Sequence, residues 1–326
     1  MNSSGGRRAM TEILQSLRTM NTGRPAARRS ATLAPVLLLA FAVMAGADSG
    51  IEQRFDVGTG GTLRVDAEGA SVSVRGAGSG GATVRITREN DTRAEIEEDY
   101  RIAMRADGDD VEVVIESLRE GWFDWGRNRG LKVEIEVPER YDARVKTSGG
   151  SISVPRLDGR VDGATSGGSV KIGQVTGPTE VRTSGGSVTI EESLGEVSAR
   201  TSGGSIRISR AGGPVSAKTS GGSITVDEVA GAINANTSGG SIRATLTEQP
   251  AADCVLSTSG GSIVVDLAPG LTLDIDAASS GGRVSSSLAL DTSSESRSEL
   301  VGRLGGGGPL LKLRSSGGGV TLRSGE

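Results

Sequence analysis

The sequence contains no histidine, a single cysteine and very few aromatic residues, and each scarcity excludes a class of protein. Without histidine, an imidazole-based catalytic triad and most zinc sites cannot be built. With Cys254 alone, no disulfide can form within the chain, so packing and hydrogen bonding must hold the fold. Aromatic residues make up 2% of the sequence and none follows Tyr141, so no aromatic-lined sugar groove is expected in the second half of the chain.

Motifs for phosphates, calcium or carboxylate catalysis are also missing. The glycines lie between strands rather than ahead of helices, which argues against nucleotide loops. Calcium-binding β-rolls place an aspartate in each turn, whereas the turns here read Ser-Gly-Gly-Ser. Glu191-Glu192 and Asp227-Glu228 are interpreted as solvated turn residues. We therefore expect no enzymatic activity, no cofactor and no metal.

The charge balance argues against nucleic acid as a partner. The whole chain has a net charge of −4, and residues 1–47 hold six arginines and one glutamate, so the remainder is more acidic still. Binding to phosphate backbones needs a basic surface.

Residues 1–47 have the pattern of a signal peptide. Arginines at positions 24, 28 and 29 precede an uncharged, mostly apolar run from Leu33 to Ala47, which ends in Ala-Gly-Ala. The run is shorter than the roughly 20 residues that span a bilayer, so cleavage is favoured over an uncleaved anchor. Met20 is an alternative start of this segment. We expect an exported protein, periplasmic or extracellular, with no membrane span after cleavage.

A repeat dominates the rest of the chain. Ser-Gly-Gly recurs every 18 residues from Ser148 to Ser238, and again at Ser259, Ser280 and Ser316. In the unit 202–219, two short runs alternate apolar and polar residues, and glycine-rich turns separate them. Equal units stack most simply like on like, which predicts a parallel β-solenoid of nine or ten two-strand coils about 4.8 Å apart.

Paired glycines mark one corner of each predicted coil. We assign them to tight turns that require positive φ, a conformation that only glycine adopts at little cost. The glycines are Gly149, Gly150, Gly167, Gly168, Gly185, Gly186, Gly203, Gly204, Gly221, Gly222, Gly239 and Gly240.

The alternation of side chains along each predicted strand, here called strand parity, identifies the inward positions. A column of valine and isoleucine faces a column of smaller alanine and threonine residues, and Cys254 falls in the slot of Val215, which predicts a buried thiol. The threonines that precede each Ser-Gly-Gly invite comparison with ice-binding arrays. Their parity with Val197 and Ala199 instead places residues such as Thr201 on the core side, where the hydroxyls would cap turn backbone groups.

The two ends of the repeat are less regular. Residues 48–141 are predicted to form a β-rich capping region of irregular coils or hairpins, with a short helix over Thr92–Asp99. Residues 142–326 form the predicted solenoid. Its last part is expected to hold a degenerate coil with a protruding loop at Asp291–Ser298, followed by closing strands at 310–313 and 320–322.

The candidate contact sites are two outward columns of basic residues and one aromatic loop. Arg182, Arg200 and Lys218 share one slot in consecutive coils, either as a solvated face or as a stripe for anionic glycans or lipid head groups. A second column, Lys171, Arg207 and Arg243, is interrupted by Thr189 and Thr225, which separates like charges.

The loop Gly121–Arg127 contains Trp122, Phe123 and Trp125. These aromatic residues either plug the end of the core or contact a partner.

The motifs together resemble a known family. The opening Phe55-Asp56-Val57 through Leu63-Arg64-Val65, the later Ile135-Glu136-Val137-Pro138 and the Thr-Ser-Gly-Gly-Ser coils are similar to the bacterial "putative adhesin" domain family, over residues 51–326. This resemblance implies an exported or membrane-associated protein of many β-strand repeats with no assigned enzymatic activity.

The sequence therefore predicts an all-β, exported, non-enzymatic solenoid that presents a binding or scaffolding surface at the cell envelope, with an envelope glycan or protein as partner. An envelope-stress or regulatory interaction protein and a carbohydrate-active solenoid enzyme are the alternatives.

Overall fold

The computed structural model describes residues 50–78, 80–118 and 130–325, which belong to the compact unit Ala47–Glu326. The predicted signal segment lies outside the described residues. The N-terminal part contains seven strands and a helix: β1 Ile51–Phe55, β2 Thr62–Ala67, β3 Ala70–Ala77, β4 Ala82–Thr87, α1 Arg93–Asp99, β5 Tyr100–Asp107, β6 Asp110–Ser117 and β7 Leu131–Pro138.

The repeat follows as fourteen strands, two in each coil. They are β8 Asp142–Thr147, β9 Ile152–Leu157, β10 Val161–Thr165, β11 Val170–Val175, β12 Thr179–Arg182, β13 Val188–Ser193, β14 Val197–Arg200, β15 Ile206–Ala211, β16 Val215–Lys218, β17 Ile224–Val229, β18 Ile233–Thr237, β19 Ile242–Leu246, β20 Cys254–Thr258 and β21 Ile263–Leu267. The last strands are β22 Leu273–Ser279, β23 Val284–Ser286, β24 Asp291–Glu295, β25 Glu299–Leu304, β26 Leu310–Ser315 and β27 Val320–Ser324.

The strands form two long sheets. Sheet 1 has the order β1-β4-β7-β3-β9-β11-β13-β15-β17-β19-β21-β27-β23, and sheet 2 has the order β24-β25-β22-β26-β20-β18-β16-β14-β12-β10-β8-β2-β6-β5. Successive repeat coils pair in parallel, with residues 18 apart in register, as in Val197↔Val215 and Ile206↔Ile224. The predicted all-β parallel solenoid with an irregular N-terminal region is confirmed.

The order of the coils in the stack differs from their order in the chain at both ends. The coil β2/β3 lies between β6/β7 and β8/β9. The last coil of the chain, β26/β27, lies between β20/β21 and β22/β23. The strands near 310–313 and 320–322 were predicted to close the stack, which is wrong, because the β22/β23 coil lies outside them. Eleven coils stack in parallel, more than predicted, since β2/β3 and β6/β7 join the repeat.

Antiparallel strands cover both ends of the stack. At the N-terminal end, β4 and β1 extend sheet 1 beyond β7, and β5 extends sheet 2 beyond β6. At the other end, β25 and β24 extend sheet 2 beyond β22. The segment Asp291–Ser298 was predicted as a protruding loop, which is wrong, because Asp291–Glu295 pairs with β25. Covered ends limit the open sheet edges that favour aggregation.

The short helix α1 is held by local polar contacts. Thr92 is its N-cap, and a capping box links Thr92 with Glu95, so the predicted helix is confirmed with Thr92 as its cap. Arg88 forms ion pairs with Asp91 and Asp99 and lies 5.8 Å from the ring centre of Tyr100.

The core is a thin slab between the two sheets. The inward valine and isoleucine side chains of sheet 1, such as Ile206 and Ile208, are fully buried and face the smaller Ala199 and Ala217 of sheet 2. Each buried branched side chain contributes about 1.5–3 kcal/mol to the free energy of folding. The predicted inward columns are confirmed.

The second glycine of each pair is required by the spacing of the coils rather than by backbone conformation, whereas a Cβ on the first would meet its nearest atom at 2.9–3.8 Å. The glycines with positive φ in the described residues lie elsewhere, for example Gly69 and Gly270, so the predicted positive φ at the Ser-Gly-Gly corners is wrong. A Cβ on Gly186 would lie 2.2 Å from the carbonyl oxygen of Gly168, and one on Gly204 would lie 2.2 Å from that of Gly186. Only a residue without a side chain lets one corner lie so close to the next.

A threonine ladder uses the same carbonyl oxygens. Thr201 Oγ1 donates a hydrogen bond to the carbonyl oxygen of Gly186 in the neighbouring coil (2.7 Å) and accepts one from the N–H of Gly204 in its own corner (3.3 Å). The contact between coils recurs through the stack, and in the last two coils Ser315 and Ser279 replace threonine. The predicted corner-capping role is confirmed.

Cys254 lies in the core of sheet 2. Its side chain is fully buried, and Sγ accepts a hydrogen bond from the N–H of Ile233 at 3.4 Å. Burial raises the pKa of the thiol, because the thiolate would lose its hydration. The predicted buried thiol is confirmed.

Alanine substitutions at two adjacent glycines should differ sharply. A Cβ on Gly150 would lie 2.0 Å from the carbonyl oxygen of Ala70, whereas the atom nearest to a Cβ on Gly149 is 3.8 Å away. We expect Gly150→Ala to destabilise the protein by about 1–3 kcal/mol or more, and Gly149→Ala to be neutral or slightly stabilising. Thermal unfolding of both variants measures the difference, and equal melting temperatures would contradict the steric explanation.

Replacing Thr201 by valine should remove both of its hydrogen bonds while keeping its shape. The carbonyl of Gly186 and the N–H of Gly204 then lose a partner, and we expect a cost of about 1–3 kcal/mol. The matched control is Thr201→Ser, because serine already fills this slot at Ser279 and Ser315. Denaturant midpoints test this, and a valine variant as stable as the serine variant would show that the ladder contributes nothing.

The thiol of Cys254 should not react with a water-soluble disulfide reagent in the native protein and should react fully after unfolding, because burial excludes the reagent and disfavours the thiolate. Absorbance of the released thiol measures this. The control is Ser257→Cys in a Cys254→Ala background, since position 257 faces outward on the same strand. Rapid native labelling of Cys254 itself would mean that sheet 2 opens locally.

Candidate functional site

The strongest candidate for a binding surface is a basic column on the outer face of sheet 2. Arg182, Arg200 and Lys218 occupy equivalent positions in β12, β14 and β16 and are paired in register. All three are exposed. Because neighbouring parallel strands lie about 4.8 Å apart, the three cations form a straight stripe across three strands. We call these three residues the basic stripe.

The strands hold the stripe rigidly because inward neighbours flank every member. Arg200 stands between Ala199 and Thr201, which are both buried. Strand alternation therefore forces the Arg200 side chain outward. The 18-residue spacing repeats that geometry at the other two positions.

Few acids neutralise the basic stripe. Glu180 lies 3.7 Å from Arg200 and also 3.7 Å from Arg160, so one carboxylate is shared by two guanidinium groups. Within the described part of the chain, Arg182 and Lys218 form no ion pair. Like charges on adjacent strands repel each other, so the stripe is an unfavourable arrangement in the isolated protein.

Uncharged polar side chains lie beside the stripe. The adjacent outward column of sheet 2 contains Ser198, Ser216 and Asn234 in register, and Asn236 continues the stripe beyond Lys218. The Asn236 amide donates a hydrogen bond to Asn234 Oδ1 at 2.5 Å. This part of the surface therefore combines cations with hydroxyl and amide groups.

The second predicted basic column, on sheet 1, has a different electrostatic environment. Lys171 and Arg207 alternate with Thr189 and Thr225 along the stack, as the sequence indicates. Lys171 lies 3.6 Å from Glu191, and Arg207 lies 3.7 Å from Asp227. Lys171 and Arg207 are therefore neutralised within the face, whereas Arg243, the third member of the column, forms no ion pair with any described residue.

A shallow depression of about 250 Å³ follows the same face of sheet 1. Arg210 lies inside it, 3.3 Å from Glu192 and 2.8 Å from Glu228. The prediction that Glu191-Glu192 and Asp227-Glu228 are solvated turn residues is wrong, because they lie in β13 and β17 and each forms an ion pair with a lysine or an arginine. Burial raises the pKa of Asp227 on this face, but its partner is Arg207 rather than a second carboxylate.

The aromatic loop, metal sites and membrane spans are the remaining features to consider. The aromatic residues Trp122, Phe123 and Trp125 lie outside the described residues. Among the residues that the structure describes, no cluster of three or more metal-ligating side chains occurs. In the same residues, no helix has the length and apolar character needed to cross a membrane.

Sequence reasoning found the members of the basic stripe but missed its lack of partners. The 18-residue spacing places the three cations in one column, whereas the sharing of Glu180 depends on side-chain geometry across coils. The polar neighbours Ser198, Ser216 and Asn234 were also missed, although their 18-residue spacing is visible in the sequence.

Comparison with solved structures finds matches of low sequence identity. A "putative adhesin" from Bacteroides fragilis shares 14% identity, with a TM-score of 0.42 and coverage of 85% of this chain and 98% of that chain. A "putative lipid binding protein" from Parabacteroides distasonis shares 12% identity, with a TM-score of 0.44 and coverage of 86% and 98%. A "putative cell adhesion protein" from Clostridium sporogenes shares 11% identity, with a TM-score of 0.24 and coverage of 85% and 100%.

No curated protein matches the chain. The family model described as Toastrack DUF4097 matches residues 62–323. This range begins at β2 and ends in β27, so it includes the N-terminal coils as well as the repeat. Because the match covers most of the chain and both of its sheets, the protein belongs to the Toastrack DUF4097 family.

Proposed function

We propose that the protein is an exported, non-enzymatic β-solenoid that presents a binding surface at the cell envelope. The observation that carries this proposal is the outer face of sheet 2, where Arg182, Arg200 and Lys218 stand in register with few counter-charges. An array of outward groups at fixed spacing suits recognition of a repetitive ligand. The depressions on sheet 1 are shallow and contain mutually paired charges, which favours surface binding over catalysis.

The rigidity of the stack supports this role. Every coil is hydrogen-bonded to its neighbours through both sheets, and the corner threonines add a contact between coils. Because the strands are already held in place, binding does not require the backbone to be ordered, which lowers the entropic cost. The fold thus supplies a stiff platform on which exposed side chains keep their spacing.

Binding can be tested with the purified protein on an array of bacterial envelope glycans and on isolated envelope fractions. We expect retention by at least one class of envelope polymer and no turnover of the bound material. Cleavage of a bound glycan, detected as new reducing ends, would favour the carbohydrate-active alternative. Absence of binding to every glycan and to the envelope fractions would contradict the proposed function.

Export can be tested separately by fractionating cells that produce the full chain. We expect the protein in the periplasmic or extracellular fraction, shortened at its N-terminus near Ala47 by signal cleavage. A variant without residues 1–47 is the matched control and should remain in the cytoplasm. A full-length protein found only in the cytoplasm would contradict the envelope location.

A further inference from the structure

We infer that the basic stripe of Arg182, Arg200 and Lys218 is the binding site for a linear anionic glycan, which lies along the stack and across the strands of sheet 2. This inference rests on the proposed function and specifies its ligand class. The glycan carries carboxylate or sulfate groups at regular intervals, and the neighbouring hydroxyl and amide side chains bind its sugar hydroxyls.

The unneutralised charge of the stripe is the first argument. On sheet 1, Lys171 and Arg207 each have an acid within 4.0 Å. On sheet 2, Arg200 contacts the carboxylate of Glu180, which also contacts Arg160, while Arg182 and Lys218 form no ion pair with any described residue. Among the described residues, two of the three cations in the sheet 1 column are thus paired, whereas only one of the three stripe cations is. An anionic ligand would relieve the repulsion between adjacent cations.

The spacing of the stripe is the second argument. Its three cations lie on consecutive strands about 4.8 Å apart, a distance close to the advance of one sugar along an extended polysaccharide chain. A straight polymer can therefore keep in step with the coils, with an acidic group near each cation. Charge-assisted hydrogen bonds between guanidinium groups and carboxylates are stronger than neutral ones.

The polar neighbours are the third argument. Ser198 and Ser216 lie beside Arg200 and Lys218, and Asn234 continues this column, whose position beside Arg182 is Glu180. Their hydroxyl and amide groups can donate to and accept from sugar hydroxyls. A purely electrostatic surface would not need such a column, whereas a glycan site uses both kinds of contact.

The narrowness of the stripe favours a single polymer over a lipid surface. The stripe is one side chain wide, and acids such as Glu180 and Asp162 lie on the same face, 18 residues apart in the adjacent column. A flat anionic bilayer would meet these acids as well as the cations. A thread-like glycan can follow the cations alone.

Recognition in this site depends on charge and hydrogen bonds, because no residue after Tyr141 is aromatic and the stripe therefore has no neighbour in its own coils for sugar stacking. Exposed ion pairs are weakened by salt, with a screening length of about 8 Å at physiological ionic strength. Binding should therefore be strong at low salt and fall steeply as salt is added.

The test measures binding of polygalacturonate, a linear uronic-acid polymer, to the full chain and to two triple variants. The first is Arg182→Ser/Arg200→Ser/Lys218→Ser. The matched control is Lys171→Ser/Arg207→Ser/Arg243→Ser, which removes the same charge from sheet 1. Circular dichroism and melting temperature establish that both variants are folded.

We expect the dissociation constant for polygalacturonate to rise at least about tenfold in the sheet 2 variant and less than about twofold in the sheet 1 control. Neutral dextran should not bind to any of the three proteins. Equal losses in the two variants would overturn the inference, because the effect would then reflect net charge rather than the stripe.

Two further outcomes separate this inference from the proposed function. Vesicles rich in phosphatidylglycerol that bind through the same three residues more tightly than polygalacturonate would overturn the glycan assignment in favour of a lipid surface. Binding of other envelope polymers on the array, unaffected by the sheet 2 variant, would overturn the inference and leave the proposed function intact. The proposed function fails only when the unmodified protein binds none of the envelope materials.

Discussion

The close contact between the corners of successive coils is the constraint on which the rest of the structure depends. Because glycine has no side chain, the carbonyl oxygen of one corner can lie next to the backbone of the following corner, as between Gly186 and Gly204. The hydroxyl of Thr201 then binds that carbonyl from the core side. A buried carbonyl without a hydrogen-bond partner would cost about 1–3 kcal/mol. The threonine hydroxyl therefore supplies a partner at the corner, where the hydrogen bonds of the two sheets do not reach. This contact recurs from the β2/β3 coil through the rest of the stack and keeps those coils in register.

Fixed register on the inside produces fixed columns on the outside. Because each strand alternates, a buried column of valine or alanine is always accompanied by outward columns at the same spacing. The outward residues can differ without disturbing the core, and the two faces do differ. Sheet 1 carries ion pairs such as Lys171–Glu191 and Arg207–Asp227, while sheet 2 carries a row of cations with one shared acid. Among the described residues, two of the three cations in the sheet 1 column are paired with acids, whereas one of the three stripe cations is.

Much of the architecture could be predicted because the spacing and the alternation of the repeat determine the geometry of each coil. Equal spacing predicts parallel coils, and parity identifies Ile206, Ile208 and Thr201 as inward residues. The reason for the glycines was predicted wrongly, because the sequence alone does not show whether a glycine is needed for positive φ or for close contact between coils. The basic stripe was predicted as a column, but its lack of counter-charges depends on the direction in which Glu180 and Arg160 extend between coils.

The sequence by itself determined the coil, its length, its buried columns and its Thr-Ser-Gly-Gly-Ser corner, because each follows from local alternation and an 18-residue period. Only the tertiary structure decided the order of the coils at the ends, where β26/β27 returns to lie between two earlier coils and β2/β3 lies between two later ones. Coils of equal width present equivalent hydrogen-bonding edges, so local pattern alone does not choose among neighbours. The choice is made by the capping strands, since β25 pairs with β22 and β4 pairs with β7, which places those coils at the outside of the stack.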